Sequence, residues 1–232
     1  MKRQSGEAMR KIAILGGTFN PIHNGHLHLA GCFAKLLGVQ KVLLIPTYLP
    51  PHKSAPDLAP ARHRLAMCRA AAGGCCCAAC GPAPADGEAS DLMCRAAAGG
   101  IFEASDIEIR RRGPSYTSDT LRELKALYPD AELYLITGED MFLTLTQWHE
   151  PETIFSLATV CAAPRSAAGL GRLLKYAQGL RRLGARTRVE NIEYLPVSST
   201  MVRRAVREGK SIARLVPVAV ERYIREHHLY LR

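Results

Sequence analysis

The chain has 232 residues, of which 47% are apolar and 22% are charged, and these proportions exclude a disordered or collagen-like protein. The length allows one large domain or two small ones at roughly 100–200 residues per domain, and no stretch approaches the ~20 apolar residues of a membrane-spanning helix. The net charge of +10 favours an anionic partner, either a nucleic acid or a phosphate-bearing small molecule.

Predicted strands and helices alternate along the chain. The predicted strands cover residues 11–15, 41–46, 101–109, 131–138, 157–163 and 189–195. The predicted helices cover residues 26–38, 61–74, 115–129, 140–148, 198–209 and 217–228, and Gly38 is the expected cap of the first one. This alternation predicts a single doubly wound, Rossmann-like α/β domain with a parallel sheet and C-terminal helices. Its ligands are expected where the strand order reverses, at the carboxyl ends of the strands.

The segment after the first strand holds the densest group of candidate functional residues. A diglycine at residues 16–17 allows a ligand to approach the backbone closely, and Thr18 with nearby N–H groups can hold a phosphate. His23 and His26 follow, with Gly25 between them, at the start of the next helix. The segment is neither a P-loop nor a GxGxxG fingerprint. A lone histidine is more often structural, but two around a glycine at this place favour a phosphate site.

A duplicated stretch follows the second predicted helix. The octapeptide MCRAAAGG occurs at residues 67–74 and again at residues 93–100, and six of the eight cysteines lie in or between the two copies. Zinc binding is a minor alternative because the stretch lacks paired CxxC or HxxxH spacing. We predict a tandem duplication that inserted a low-complexity surface loop around residues 75–100, which costs little loop-closure entropy.

Two later segments are basic. No carboxylate occurs between Glu152 and Glu190, where seven lysines and arginines gather, and this run is either a solvated helix face or a wall that attracts anions. Near the C-terminus, Ser199 and Thr200 open a predicted helix, and Arg203 lies one turn inside it. Alone, this second segment favours a plain N-cap with a surface arginine. Together with the histidine segment, it favours a second set of phosphate contacts.

Motifs in order along nearly the whole chain resemble a known family. GGTFNPIHNGHL resembles the (H/T)xGH signature of class I synthetase-like nucleotidyltransferases, and VSSTMVR resembles their ISSTxxR signature. PPHK, GPSYTSDTL and TGEDMFLTLTQWHE further resemble the bacterial nicotinate mononucleotide adenylyltransferases. The duplication departs from this family, and APRS replaces the usual RPG, which leaves Arg165 as its counterpart. Residues 1–8 precede the usual start, so they form an extension to a domain over residues 9–232, and Met9 is a candidate initiator.

The resemblance implies adenylyl transfer from ATP to nicotinate mononucleotide, which gives nicotinate adenine dinucleotide and pyrophosphate in NAD biosynthesis. It implies direct in-line attack without a covalent intermediate, with Mg²⁺ carried on the ATP phosphates and no metal ligand from the protein. The implied catalytic residues are His23, His26 and Arg203. The implied ATP-binding residues are Gly16, Gly17, Thr18, Phe19, Gly25, Arg165, Ser199 and Thr200. The implied nicotinate mononucleotide-binding residues are Lys53, Tyr116, Thr117, Ser118, Asp140, Trp148 and His149.

Several of these implied roles have alternatives. Trp148, the single tryptophan, is expected to stack on the nicotinate ring, but it also suits a core position. Asp140 suits either a ribose hydroxyl or a helix cap. His52 suits either a phosphate contact or a solvated loop. His149 stands where the family often has tyrosine, so the ring packing is expected to differ.

Three alternative functions stay open. The charge allows a nucleic-acid-binding protein, which the lack of interleaved aromatic residues disfavours, so no nucleic-acid partner is expected. The duplication allows an inactive relative, and the same chemistry with nicotinamide mononucleotide or phosphopantetheine is also open. The chain lacks the apolar core of a secretory signal, so a cytoplasmic protein without a membrane partner is expected. The oligomeric state is open, a homo-oligomer included.

Overall fold

A six-stranded, entirely parallel sheet forms the centre of the computed structural model, which describes residues 10–50, 57–73 and 100–231. Its order is β3-β2-β1-β4-β5-β6, so the strand order reverses between β1 and β4. The strands are β1 (Lys11–Gly17), β2 (Lys41–Pro46), β3 (Phe102–Ala104), β4 (Glu132–Gly138), β5 (Ala158–Ala163) and β6 (Arg186–Val189). The predicted doubly wound parallel sheet is confirmed.

Helices cover both faces of this sheet. They are α1 (Asn24–Leu37), α2 (Ala61–Gly73), α3 (Ile107–Arg111), α4 (Thr117–Leu127), α5 (Glu139–Phe142), α6 (Pro151–Leu157), α7 (Ala167–Arg182), α8 (Ser199–Arg207) and α9 (Val218–Glu226). A 3₁₀ turn at Leu145–Gln147 lies between α5 and α6. As predicted, Gly38 ends α1 in the left-handed conformation, with a φ of 62°.

Two apolar layers lie on opposite faces of the sheet. Ala13 and Leu15 of β1 belong to the layer that α1, α2, α8 and α9 cover, whereas Ile12 and Ile14 belong to the layer under α3, α4, α6 and α7. Because successive side chains of a strand point to opposite faces, a strand buried on both faces is a continuous apolar run in the sequence. This burial explains why the runs at residues 11–15 and 41–46 were recognisable as strands.

Two predicted strands are wrong in part or in full. Within residues 101–109 only Phe102–Ala104 pairs with β2, and Ile107–Arg111 forms α3. Arg110 contacts both the main-chain oxygen and the carboxylate of Asp106 at 2.8 Å, which closes a helical turn. Alternating apolar residues over so short a stretch fit a helix as well as a strand.

Residues 189–195 do not form the sixth strand, which is instead Arg186–Val189 inside the basic run. The N–H of Glu190 still donates to the oxygen of Ala162 at 3.1 Å, after which the chain leaves the sheet. His28 of α1 then contacts the main-chain oxygen of Glu193 at 2.8 Å, and this contact ties the segment to helix α1.

Helices α6 and α7 were not among the predicted elements. Helix α7 contains most of the basic run, and its Arg172, Lys175, Arg181 and Arg182 are exposed, as a solvated helix face requires. The N-terminal extension, His52, Lys53 and residues 74–99 of the duplicated stretch lie outside the described residues. Within the described ranges, no helix is long and apolar enough to cross a membrane.

Candidate active site

A cleft of about 420 Å³ opens at the carboxyl ends of β1 and β4, where the strand order reverses. This is the expected position of a ligand site in a doubly wound sheet. The predicted site residues that border it are Gly16, Gly17, Thr18, Phe19, His23, Gly25, His26, Tyr116, Thr117, Trp148, His149, Arg165 and Ser199. Ser118, Asp140, Thr200 and Arg203 lie behind or beside these lining residues, and Lys53 is outside the described part of the chain.

The two histidines stack at the start of α1. Their ring centroids lie 3.6 Å apart at an interplanar angle of 24°. His23 is only 6% exposed, and its burial lowers the pKa of the imidazole to about 4. It is therefore neutral at pH 7. The Nδ1 of His26 accepts the N–H of His23 at 3.2 Å, so a neutral His26 carries its proton on Nε2.

Small residues leave room around this pair. A Cβ on Gly25 would lie 3.2 Å from both the His23 ring and the main-chain oxygen of Val197. A Cβ on Gly17 would lie 3.1 Å from the ring of Phe19, which in turn meets His26 edge-on at a centroid distance of 5.0 Å. Around Gly16 the space for a Cβ is open. The backbone of this loop can therefore come close to a ligand.

Helix α8 meets the same loop from the other side. Ser198 caps it, since its Oγ accepts the N–H of Met201 at 3.2 Å, as the N-cap interpretation expected. Ser199 Oγ donates to the oxygen of Pro21 at 2.8 Å, and Arg203 Nη1 donates to the oxygen of Asn20 at 2.8 Å. Arg203 is thus anchored to the segment just before His23 and is not a plain surface arginine.

Asn20 connects distant parts of the chain to the loop. Its side chain donates to the oxygen of Asp57 at 2.9 Å and accepts from the N–H of Ala59 at 3.0 Å. The same Oδ1 accepts from the hydroxyl of Tyr230 at 2.9 Å. Sequence reasoning missed this role, although Asn20 stands inside the recognised GGTFNPIHNGHL segment.

Arg64 is a buried support that sequence reasoning also missed. This guanidinium is 1% exposed and donates to the main-chain oxygens of Thr18 at 2.8 Å, Thr47 at 2.6 Å, Tyr48 at 3.1 Å and Ala59 at 2.9 Å. Burial lowers its pKa. All four of these acceptors are neutral carbonyls, and an arginine in the first turn of a helix gives no sequence signal for such contacts. We call Asn20, Arg64 and Arg203, with the oxygens they bind, the loop clamp.

Aromatic residues line the opposite end of the cleft. The rings of Tyr116 and His149 stack with centroids 4.1 Å apart at 16°, and Ser118 Oγ lies 3.3 Å from His149 Nδ1. Trp148 borders the cleft and also packs against the second apolar layer, while its Nε1 donates to Thr144 Oγ1 at 3.2 Å. Trp148 therefore has the contacts of a core residue and also borders the cleft, and its stacking on the nicotinate ring stays a prediction.

A buried network lies behind Tyr116. Thr120 Oγ1 donates to Glu108 Oε1 at 2.7 Å and accepts from Arg111 Nη2 at 3.0 Å. Burial is the main cause that raises the pKa of Glu108, which is 5% exposed and borders the cleft. The network holds the beginning of α4, where Tyr116 and Thr117 border the cleft.

A set of charged residues lies at the third side of the cleft, where β5 ends. Arg165 pairs with Asp140 at 2.9 Å, and its guanidinium carbon lies 6.0 Å from the ring centroid of Tyr194. The Glu139 carboxylate accepts the N–H of Arg165 at 2.7 Å and pairs with Arg172. The ion pair of Asp140 was in neither of its two sequence interpretations, and Glu139 was missed.

No group of three His, Cys, Asp or Glu residues that could hold a metal ion occurs in the part of the chain that the structure describes. The prediction that the protein supplies no metal ligand is not contradicted there. Lys53, His52 and the cysteine-rich residues 75–80 fall outside that part.

Comparisons with known proteins agree with this geometry. The Cytidylyltransferase-like family model matches residues 14–205. A probable nicotinate-nucleotide adenylyltransferase of Symbiobacterium thermophilum is 39% identical over 97% of this chain and 97% of its own length, and one of Synechococcus sp. (strain JA-3-3Ab) is 40% identical over 96% and 95%. The solved structure of Plasmodium falciparum nicotinic acid mononucleotide adenylyltransferase complexed with NaAD has the same fold, with a TM-score of 0.68, 19% identity and coverage of 95% and 97%.

Proposed function

Because the chain belongs to the nicotinate-nucleotide adenylyltransferase family, we propose that it transfers the adenylyl group of ATP to nicotinate mononucleotide in NAD biosynthesis. A 5′-phosphate oxygen of the acceptor attacks the α-phosphorus of ATP. The bond from that phosphorus to the β-phosphate oxygen breaks, and pyrophosphate leaves with the electron pair. The observation that carries the proposal is the stacked His23 and His26 pair at the start of α1, inside the cleft where the strand order reverses.

The reaction needs alignment and charge stabilisation rather than a strong base. A phosphate monoester is already a competent nucleophile at pH 7, so direct in-line attack requires no covalent intermediate. Fixed hydrogen-bond donors around the developing charge lower the barrier because they need no reorganisation. The loop clamp is suited to this task because main-chain oxygens fix Arg64 and Arg203. The stacked histidine pair is suited to it as well, since the N–H of His23 donates to the ring of His26.

We assign the phosphate contacts to the loop and to α8. His23 and His26 donate to the α- and β-phosphate oxygens, and Arg203 acts on the β- and γ-phosphates. The low pKa of His23 supports a role as a neutral donor. The further ATP contacts in this assignment are Gly16, Gly17, Thr18, Phe19, Gly25, Arg165, Ser199 and Thr200.

Mg²⁺ is proposed to enter with the triphosphate. When bound, it neutralises charge on the β- and γ-phosphates and on the leaving pyrophosphate. The donors described around the phosphate end are imidazoles, hydroxyls and a guanidinium, and this set fits a metal-bearing triphosphate better than a bare cation.

The acceptor end is assigned to nicotinate mononucleotide. The N–H groups of Tyr116, Thr117 and Ser118 lie at the beginning of α4, where the helix favours a negative charge such as the nicotinate carboxylate. Trp148 stacks on the pyridine ring beside the Tyr116–His149 pair. Lys53, Asp140 and His149 complete the proposed acceptor contacts.

We also propose a cytoplasmic protein whose partners are these small molecules. The need for ATP supports this location, and so do Cys32, Cys68 and Cys161, which are free thiols within the described ranges. A homo-oligomer and the division into an extension over residues 1–8, a domain over residues 9–232 and an insertion around residues 75–100 stay predictions.

The test is Mg²⁺-dependent pyrophosphate release from ATP, with nicotinate mononucleotide, nicotinamide mononucleotide and phosphopantetheine offered separately. We expect selective release with the nicotinate acceptor. Preference for another acceptor would contradict the assigned acceptor end but keep the phosphate chemistry. No release from a folded sample would favour an inactive relative, and restoration of turnover by deletion of residues 75–100 would identify the duplication as the cause.

A further inference from the structure

The carboxylate of Glu139 is buried at the start of α7. Its side chain is 3% exposed, although neighbouring Arg172 and Arg165 are 65% and 53% exposed. One oxygen accepts the main-chain N–H of Arg165 at 2.7 Å, and the other pairs with Arg172. A buried carboxylate is stable only where such partners replace water.

The local backbone favours a negative charge at this place. Ser166, the N-cap of α7, makes no side-chain capping hydrogen bond. The Glu139 carboxylate accepts the N–H of Arg165, which directly precedes Ser166, and so lies near the positive end of this 16-residue helix. The N–H of Arg165, followed by Arg172, lowers the pKa of Glu139. Glu139 is thus ionised near pH 7 and holds the link between β5 and α7.

Gly169 makes room for this carboxylate. A Cβ at position 169 would lie 2.7 Å and 2.9 Å from the two Glu139 oxygens. By contrast, a Cβ on Gly171, two residues further along α7, would meet nothing within 4 Å. The glycine at 169 is therefore matched to Glu139, and the one at 171 is not.

We propose that Glu139 is a positioning residue for ATP binding, which holds the Arg165 main chain so that the Arg165 side chain borders the cleft. This inference rests on the proposed function, in which Arg165 contacts the nucleotide. Glu139 acts through its hydrogen bond to the main chain of Arg165. Arg172 pairs with the other oxygen, and because the Arg172 side chain is 65% exposed, water can take its place when it is removed.

The test combines substitutions at 139, 169 and 165. For Glu139→Ala we expect the KM and the calorimetric Kd for Mg·ATP to rise about tenfold, as for loss of a hydrogen bond to a charged group. The KM for nicotinate mononucleotide and kcat at saturation stay unchanged. Glu139→Gln keeps an acceptor for the Arg165 N–H and restores the wild-type KM for ATP. Gly169→Ala displaces the Glu139 carboxylate without a change of charge and therefore weakens the binding of Mg·ATP. Gly171→Ala and Arg172→Ala leave the affinity for Mg·ATP unchanged.

A double variant separates positioning from direct contact. If Glu139 acts through Arg165, Glu139→Ala adds no loss in the background of Arg165→Ala. Additive losses would mean that Glu139 touches ATP itself and would overturn the proposal. Equal losses on kcat and on both KM values, or unchanged ATP binding in Glu139→Ala and Gly169→Ala, would also overturn it. Should Glu139→Ala fail to fold, Gly169→Ala and Glu139→Gln decide the outcome. If the wild-type protein binds ATP but shows no turnover, the proposed function is refuted. The calorimetric Kd for Mg·ATP can still be compared between the variants, so the role of Glu139 is tested separately.

Discussion

The phosphate side and the β5 side of the cleft are built in different ways. On the phosphate side, the loop clamp places two arginines and an asparagine against neutral main-chain oxygens, and Arg64 is 1% exposed. On the β5 side, the arginines face carboxylates, and Arg165 and Asp140 are 53% and 64% exposed. Buried hydrogen bonds hold one geometry, whereas exposed ion pairs are weak and screened by salt. The proposed phosphate end is therefore held mainly by buried hydrogen bonds, whereas the proposed nucleoside end carries exposed charged side chains.

The largest expected effect comes from a residue on the phosphate side of the cleft. His26→Ala should lower kcat by about 10²–10³, as for removal of one fixed donor in an oxyanion-hole-type site. Steady-state turnover and thermal unfolding would be measured together. His227→Ala, an exposed histidine outside the cleft, is the matched control and should keep full turnover. A change in kcat of only a few-fold for His26→Ala, with the fold intact, would contradict the assigned role.

The loop clamp should also contribute more to the free energy of unfolding than an exposed ion pair does. Arg64→Met leaves four partly or fully buried carbonyl oxygens without this donor, so we expect the free energy of unfolding to fall by about 3 kcal/mol or more. Arg69→Met on the same helix removes only a 3.8 Å ion pair of a 62% exposed arginine and should change it by less than about 0.5 kcal/mol. Denaturant titration of both variants makes the comparison. Similar losses for both would show that burial does not distinguish the two kinds of contact.

Because of His23, the stability of the folded chain should fall in acid. Its pKa is about 4 in the folded chain and near its usual value of 6.5 when unfolded, so the unfolded chain binds more protons between these values. Stability is therefore complete above about pH 6.5 and falls as the pH drops towards 4, by roughly 3 kcal/mol at the low end.

The matched variant for this pH effect is His23→Gln, because carboxylates such as Glu139 also lose stability in acid. Unfolding free energies of both proteins would be measured from pH 7 to pH 4. Between pH 6.5 and pH 4, the unfolding free energy of the wild type should fall more steeply with decreasing pH than that of His23→Gln. A constant difference would mean that His23 is not neutral by burial.

The smallest expected effect tests the acceptor end. Trp148→Ala should weaken the binding of nicotinate mononucleotide by about 1–3 kcal/mol because stacking is lost, and the KM for ATP should stay nearly unchanged. Separate KM determinations for the two substrates check this. Equal weakening of both would assign Trp148 to the apolar layer that it also contacts, and the division of the cleft into independent ends would fail.

The sequence signals for the cleft are local, since the residues of each one are neighbours along the chain. The diglycine, the two histidines and the Ser-Ser-Thr helix start are short patterns whose meaning depends on local backbone structure, and the cleft brings residues of all three together. Buried apolar runs likewise identified β1, β2, β4 and β5. The predictions for residues 101–109 and 189–195 failed because these stretches alternate polar and apolar residues and lack the continuous apolar run of a strand that is buried on both faces.

The supports of the site could not be predicted in this way. Arg64 is 46 residues from Thr18, and Tyr230 is 210 residues from Asn20. Glu139 and Gly169 form a matched pair only because β4 and β5 are adjacent in the sheet. Such contacts depend on the sheet order, and no local pattern of residues encodes it.

The hydrogen bond between Tyr230 and Asn20 has a consequence for folding during synthesis on the ribosome. Ser199, Arg203 and Tyr230 leave the ribosome 178 to 210 residues after the loop residues that they contact. During that interval the growing chain has the loop's sequence without the contacts that hold it. The loop should therefore become able to bind a nucleotide only after Tyr230 has been made.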